Sequence, residues 1–218
     1  MGKRRDFLVI GMGRFGRPLA EELVSMGQDV LGVDVDQKLV QSCSASVTRV
    51  VQADARDQEA LRQLGAPEFN TAVVAIGTDV ESSILTTYAL VDLNVPRIWA
   101  KAITYDHGQI LRRIGANRVV FPERDMGVRV AHSMLGRTLD YIELEDGFVL
   151  LETTAPKAMI GRALADTKVR SKYNVTILCV KEPGGKFTYA TPETVLREED
   201  LLVVAGQSND AESFAELD

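Results

Sequence analysis

The residues best suited to chemistry in this 218-residue sequence stand six in a row, Gly11-Met12-Gly13-Arg14-Phe15-Gly16. They follow a short apolar run, Asp6 to Ile10, and open a stretch with helical spacing. A GxGxxG pattern between a strand and a helix is the context that phosphate binding requires. Gly11 permits the tight turn, Gly13 lets backbone approach the phosphates, and Gly16 allows helix and strand to pack closely. The helix N-terminus then presents unpaired N–H groups and the positive end of its dipole to an anion. Arg14, inside the loop, is suited to pair with a terminal phosphate through charge-assisted hydrogen bonds, or else is a free surface arginine. Asp34 lies eighteen positions after Gly16, at the end of the second apolar run. It is placed to accept hydrogen bonds from ribose hydroxyls and would repel a 2′-phosphate, which argues against NADP.

Further polar residues recur at the ends of later apolar runs. Ala53-Asp54-Ala55 follows the third, Ile76-Gly77-Thr78 the fourth, and Lys101 closes the fifth. In an open α/β sheet these positions share the carboxyl edge, where nucleotides bind. Asp54 is suited to accept from an adenine amino group, and equally to cap a helix. Lys101 is suited to neutralise phosphate charge, or is a solvated lysine. Catalytic groups are scarce. Tyr88, Tyr105, Tyr141, Tyr173 and Tyr189 each lack a lysine four positions on, and His107 and His132 have no metal-ligand partner at helical spacing. Both histidines read as surface or interface residues. No GxSxG or HExxH pattern is present. A nucleotide site without a proton donor points to sensing and not to an enzyme, with a small NAD-dependent dehydrogenase as the alternative.

The elements that must position these residues alternate strand and helix. Six strands are expected, over Asp6 to Ile10, Asp29 to Asp34, Arg49 to Gln52, Thr71 to Ile76, Arg97 to Ala100 and Arg118 to Phe121. Their Val-rich, non-alternating character fits a parallel sheet buried on both faces. Phe15, Leu19, Leu23 and Met26 recur every three or four residues, so the first helix turns one face to the sheet and ends at Gly27. The fold class is α/β: a Rossmann-like doubly wound parallel sheet over 1-122, a connecting helix over 123-138, and a small α+β domain over 139-218. The connecting segment, about Glu123 to Gly136, carries Met126, Val130, Ala131, Met134 and Leu135 on one side. That face packs either on its own domain or on a second subunit. Strands are expected at Tyr141 to Leu144, Phe148 to Thr153, Val175 to Lys181, Val195-Leu196 and Leu201 to Ala205. Helical spacing is confined to Ala163 to Tyr173 and the last residues, and Glu182-Pro183-Gly184-Gly185-Lys186 is a tight turn.

Composition narrows the class. With 25 Lys plus Arg against 31 Asp plus Glu, the net charge of -6 gives no field for nucleic acid, which is not expected as a partner. Lys3-Arg4-Arg5 reads as a solvated basic tail more readily than as a contact patch. Cys43 and Cys179 are the two cysteines and form no CxxC, which fits a reducing cytosol. No apolar run approaches a signal peptide or a membrane span, so a membrane connection would come through a partner.

The stretches Val9-Ile10-Gly11-Met12-Gly13-Arg14-Phe15-Gly16, Val73-Val74-Ala75-Ile76-Gly77, Ile98-Trp99-Ala100-Lys101-Ala102 and Phe121-Pro122-Glu123-Arg124-Asp125-Met126-Gly127 resemble the regulator-of-potassium-conductance (RCK) family, the cytosolic TrkA/KtrA-type subunits of bacterial potassium uptake. Leu196-Arg197-Glu198-Glu199-Asp200-Leu201-Leu202-Val203-Val204-Ala205-Gly206 resembles the end of the companion C-terminal domain. The resemblance implies a homodimer that exchanges connecting helices. It also implies assembly into an octameric ring beneath a membrane-embedded potassium-translocating subunit, on the cytoplasmic face, with ligand binding gating transport. It implies ATP or ADP as the ligand, since an arginine like Arg14 in this loop looks like that of the adenosine-phosphate binders, with NAD(H) and a redox-sensing role as the alternative. Glu123 matches a position that holds Mg or Ca at the dimer interface in ATP-binding members. Arg170 and Pro192 occupy neighbouring positions in a C-terminal domain that binds cyclic di-AMP in some relatives.

Overall fold

The computed structural model describes residues 6–134 and 138–217. Lys3, Arg4 and Arg5, and Leu135 and Gly136 at the expected end of the connecting helix, lie outside the described residues. The chain divides into two units, one ending at Glu123 and the other beginning at Arg124.

Apolar runs rich in β-branched residues make the strands of the first unit: β1 (Asp6–Ile10), β2 (Asp29–Asp34), β3 (Arg49–Gln52), β4 (Thr71–Val74), β5 (Ile98–Lys101) and β6 (Arg118–Val120). All pair in parallel in the order β3-β2-β1-β4-β5-β6. Between them run α1 (Gly16–Ser25), α2 (Gln37–Cys43), α3 (Gln58–Gln63), α4 (Val80–Asp92) and α5 (Tyr105–Ile114). Leu8, Ile10, Leu31, Val33, Val74 and Ile98 are buried in one cluster, and Val9, Met12, Ala20, Val30 and Cys43 in another. Each buried Val, Leu, Ile or Met among them contributes roughly 1.5–3 kcal/mol. The strand order reverses between β1 and β4, and the crevice at the carboxyl ends of these strands is where this topology binds ligands.

Several elements depart from expectation. The fourth strand ends at Val74 and not Ile76; the Ala75 N–H still bonds the Ile10 carbonyl at 2.7 Å, and the chain then leaves the ladder. The fifth runs one residue further than expected, to Lys101, and the sixth stops at Val120. Leu19 and Leu23 of α1 pack on the sheet, whereas Met26 is exposed, because Gly27 at φ +77° turns the chain directly after it. The Gly27 N–H bonds the Val24 carbonyl at 2.9 Å, closing the helix as a glycine past the C-cap does.

α6 (Pro122–Ser133) follows β6 and has no buried residue; Met126, Val130 and Met134 are all exposed. In the second unit β7 (Asp140–Glu143), β8 (Phe148–Thr154), β9 (Thr176–Lys181), β10 (Thr188–Tyr189) and β11 (Leu201–Gln207) form an antiparallel sheet in the order β10-β9-β11-β8-β7. α7 (Leu164–Thr167), α8 (Val169–Tyr173) and α9 (Ser208–Ala215) complete the unit, with Phe214 of α9 buried among Leu151, Leu202 and Val204. The helix expected over Ala163 to Tyr173 breaks at Lys168, whose φ of +53° is left-handed. Val195-Leu196 is not a strand: Val195 makes a lone bridge to Ala163, and Leu196 is held by bonds to the loop at Gly161 and Arg162. Two residues of β10 are too short for period-two patterning to reveal. The expected tight turn is present, with Gly185 N–H bonding the Glu182 carbonyl at 2.9 Å.

His107 corrects the surface reading. It is 2 % exposed, its Nδ1 accepts the Ile103 N–H at 3.3 Å, and its Nε2 has no partner among the described residues. Burial pushes the imidazole below its usual pKa, so the ring is neutral in the fold. The unfolded chain takes up a proton below about pH 6.5 that the fold rejects, so stability is complete above that pH and declines as pH falls through the window beneath it. Chemical denaturation between pH 7.5 and 5.5 should show this decline, no steeper than about 1.4 kcal/mol per pH unit for one proton. His107→Leu should flatten it.

Candidate nucleotide site

The glycine loop is shaped by close backbone contacts. Gly11 has φ +92°, and its N–H bonds the Val33 carbonyl at 2.8 Å. A Cβ on Gly16 would collide with the Gly11 carbonyl oxygen, so helix α1 reaches the loop only because residue 16 has no side chain. At Gly13 a Cβ would meet nothing within 4 Å, because that position faces open space. The loop is tied to β2 by Asp34, whose Oδ2 accepts the Met12 N–H at 2.6 Å while Oδ1 accepts the Asp36 N–H at 2.8 Å. Asp36, Asp57, Asp79 and Thr104 cap helices α2, α3, α4 and α5 with their side chains, whereas no side chain caps α1. Its terminal N–H groups remain the donors of this edge.

A cavity of about 1020 Å³ lies over this loop at the carboxyl edge of the sheet. Of the residues singled out from sequence, Gly11, Gly13, Arg14, Phe15, Asp34, Asp54, Ala55, Ile76, Gly77, Lys101 and Glu123 line it. Met12 and Gly16 do not. The Met12 side chain is buried in the core, its sulfur 2.8 Å from where a Cβ on Gly32 would stand, so its contribution is its backbone N–H; Gly16 serves helix packing.

Acids predominate at one end of the cavity and cations at the other, each end with one counter-ion. On the β2–β3 side stand Asp34, Asp36 and Asp54. Arg56 grips Asp54 with two side-chain nitrogens, the shortest contact being 2.6 Å, and this grip holds the Asp54 carboxyl below its ordinary pKa. Asp54 is not a helix cap, because Asp57 caps α3. Asp79 accepts from the Ser82 N–H and hydroxyl at 3.1 and 2.5 Å, and the hydroxyl bond is the main cause of its lowered pKa. On the side of the glycine loop stand two cations. Arg14 is exposed and makes no hydrogen bond to a described residue, and Lys101 pairs with Glu123. That pair lowers the Glu123 carboxyl below its usual range, Lys101 being the main cause and Arg14 a smaller one. Arg56, Asp79, Ser82 and Thr86 were not foreseen. Asp79 carried a signal, an acidic residue at the start of a helical pattern just beyond Gly77; Arg56, Ser82 and Thr86 carried none. Among the described residues no three or more His, Cys, Asp or Glu gather as a metal-binding group.

The Lys101–Glu123 pair has a measurable signature. With the Glu123 carboxyl depressed, the pair is complete at neutral pH and is lost only as pH falls through that lowered value. A carboxyl-selective NMR titration of the wild type should place the Glu123 midpoint below the ordinary glutamate value of about 4.3, and Lys101→Met should bring it back up.

The chain matches the TrkA-N domain over residues 7–122 and the TrkA-C domain over residues 148–217. It is similar to the Ktr system potassium uptake protein A of Bacillus subtilis (strain 168), with 39% identity over 213 residues that cover 97% of this chain and 96% of the relative. Among solved structures it resembles the GsuK channel bound to NAD, at a TM-score of 0.70 and 21% identity, covering 99% of this chain but 40% of that one. It also resembles GsuK bound to ADP, at a TM-score of 0.53 and 21% identity over 60% of this chain and 34% of that one. The likeness to the two GsuK structures is one of fold.

Proposed function

The chain belongs to the family of TrkA-N and TrkA-C domain proteins, and from that premise we propose that it is a nucleotide-binding regulatory subunit of a potassium-transport system. The observation that carries the reading is the cavity over the glycine loop, with the uncapped terminus of α1, Arg14 and Lys101 on one side and Asp34 and Asp54 on the other. A phosphate chain suits the cationic side, and the sugar hydroxyls and base of an adenosine suit the acidic side. ATP or ADP is the ligand we favour, since Arg14 offers a second cation to a terminal phosphate. NAD(H) is the second reading, carried by the size of the cavity and by the acidic residue at the end of β2. No residue here is assigned a catalytic role. Ligand exchange acts by differential affinity for two arrangements of the assembly, which shifts their populations and so gates transport.

The assembly we infer is a homodimer joined through the exposed apolar side of α6, built into an octameric ring under a membrane-embedded potassium-translocating subunit on the cytoplasmic face. Among the described residues no helix is long and apolar enough to cross a membrane, so attachment through a partner suits this reading. Glu123 supplies one carboxylate, and magnesium or calcium there would take its other oxygens from the nucleotide and from a second copy of the chain. In the second unit Arg170 and Pro192 line one groove of about 350 Å³ with Lys168, Ser171 and Thr191, which suits the phosphates of a cyclic dinucleotide.

Calorimetric titration of nucleotide-free protein with ATP, ADP, NADH and cyclic di-AMP, with and without magnesium or calcium, tests the reading. ATP or ADP should bind, Gly13→Asp should abolish that binding by placing a carboxylate where the phosphates pass, and Arg14→Ala should weaken ATP by about tenfold, the loss of one charge-assisted contact. Binding of NADH alone would replace the gating ligand with a redox signal, and binding of no adenine nucleotide would overturn the reading.

A further inference from the structure

Lys101 is a cation withdrawn from water whose charge is balanced by a carboxylate that remains in it. The Lys101 side chain is 9 % exposed and that of Glu123 66 %. An ammonium taken out of water needs an anion beside it. Glu123 is the ionic partner that the described residues provide, and it comes from the first turn of α6. Around Nζ the walls are spare. The backbone of Gly77 lies so close that a Cβ there would stand 2.6 Å from Nζ, and the Phe15 ring centroid is 5.7 Å away. Lys101, Glu123, Gly77, Phe15 and Arg14 all line the same cavity. Arg14 also attracts Glu123 through space, so two cations share one carboxylate at this end. That leaves one positive charge in excess where the phosphates of a ligand would lie.

Given the nucleotide-binding reading above, on which this rests, we propose that Lys101 exchanges partners: without ligand it holds Glu123 and the first turn of α6, and an incoming phosphate takes the ammonium and releases Glu123. The asymmetry in exposure sets the direction. A phosphate meets Lys101 from the cavity and brings more charge and more acceptor oxygens than a carboxylate. Glu123 regains full hydration with little change in its surroundings, so its release costs little. Lys101 never loses an anion, which a buried ammonium does not tolerate. The exchange converts an event in the cavity into a loosened start of α6, with no change required in the sheet. Its expected consequence is that Glu123 competes with phosphate for Lys101, so removing the Glu123 charge tightens phosphate binding in the absence of divalent ions.

The test is calorimetry with ATP in EDTA on the full chain, with wild type, Glu123→Gln, Lys101→Met and the double variant. Glu123→Gln lies on an exposed side chain and keeps its shape. It should bind ATP about tenfold more tightly than wild type, whereas adenosine, which has no phosphate, should bind both alike. In the Lys101→Met background the same change should alter ATP affinity by less than about twofold, which separates exchange on Lys101 from a general gain in positive charge. Hydrogen exchange at the amides of the second turn of α6, which bond the carbonyls of its first turn, should quicken when ATP is added to wild type and be unchanged by it in Glu123→Gln. If wild type and Glu123→Gln bind ATP equally, or Glu123→Gln binds it more weakly, the exchange is wrong and the nucleotide reading stands. If neither protein binds ATP, the preference for ATP falls and the exchange with it, whereas the nucleotide reading falls only if NADH does not bind either.

Discussion

Asp34 accepting the Met12 backbone N–H at 2.6 Å is the contact on which the cavity depends. No polar side chain of the glycine loop holds it, and a turn with a positive φ at Gly11 has many conformations to lose. Three backbone contacts remove that freedom: the Asp34 carboxylate on Met12, the Val33 carbonyl on Gly11, and helix α1 pressed against the Gly11 carbonyl. The Met12 side chain, buried over Gly32, adds an apolar anchor on the other side. Asp34 therefore has two tasks, since the carboxylate that faces the cavity also fixes the loop across from it. A substitution there acts on loop geometry as well as on any ligand contact.

Charge is distributed around the cavity in a way that neutralises acids locally and keeps a surplus of cations at one end. Asp54 is gripped by Arg56, Asp79 is spent on the start of α4, and Glu123 is held by Lys101. Arg14 alone among the cations lining the cavity has no direct ionic partner among the described residues. These pairs are mostly exposed and each adds little to stability. Their effect lies in orientation, since they set which groups are already committed when a ligand enters.

The strands were legible because each is a short β-branched run bounded by turn residues, and β1, β2 and β3 have the limits their composition implies. Most errors lay at the ends of elements, and the strand expected at Val195-Leu196 proved to be a lone bridge. Val74 and Lys101 end their strands according to where neighbours stop pairing, which no local pattern encodes. The break at Lys168 and the brevity of β10 escaped for the same reason: one left-handed residue and a two-residue pairing leave no periodicity. In the cavity, the residues foreseen were those at strand ends, where topology guarantees proximity. Met12 and Gly16 belonged to the motif and yet do not line the cavity, since the Met12 side chain packs in the core over Gly32 and Gly16 lies against the Gly11 carbonyl. Arg56 and Thr86 reach the cavity from within helical or loop stretches that look ordinary in sequence.

By itself the sequence determined the local conformations and the spacing of the glycines, because those depend on what each residue permits its own backbone. It also determined that an acidic residue ends β2. Only the tertiary structure decided the partners: that Asp34 holds Met12, that Lys101 is buried and paired with Glu123 twenty-two residues on, and that His107 is sealed from water with no partner for its Nε2 among the described residues. The reason is that a side chain's partner, burial and protonation are set by what strand order and helix packing bring within a few ångströms, and those neighbours are distant along the chain.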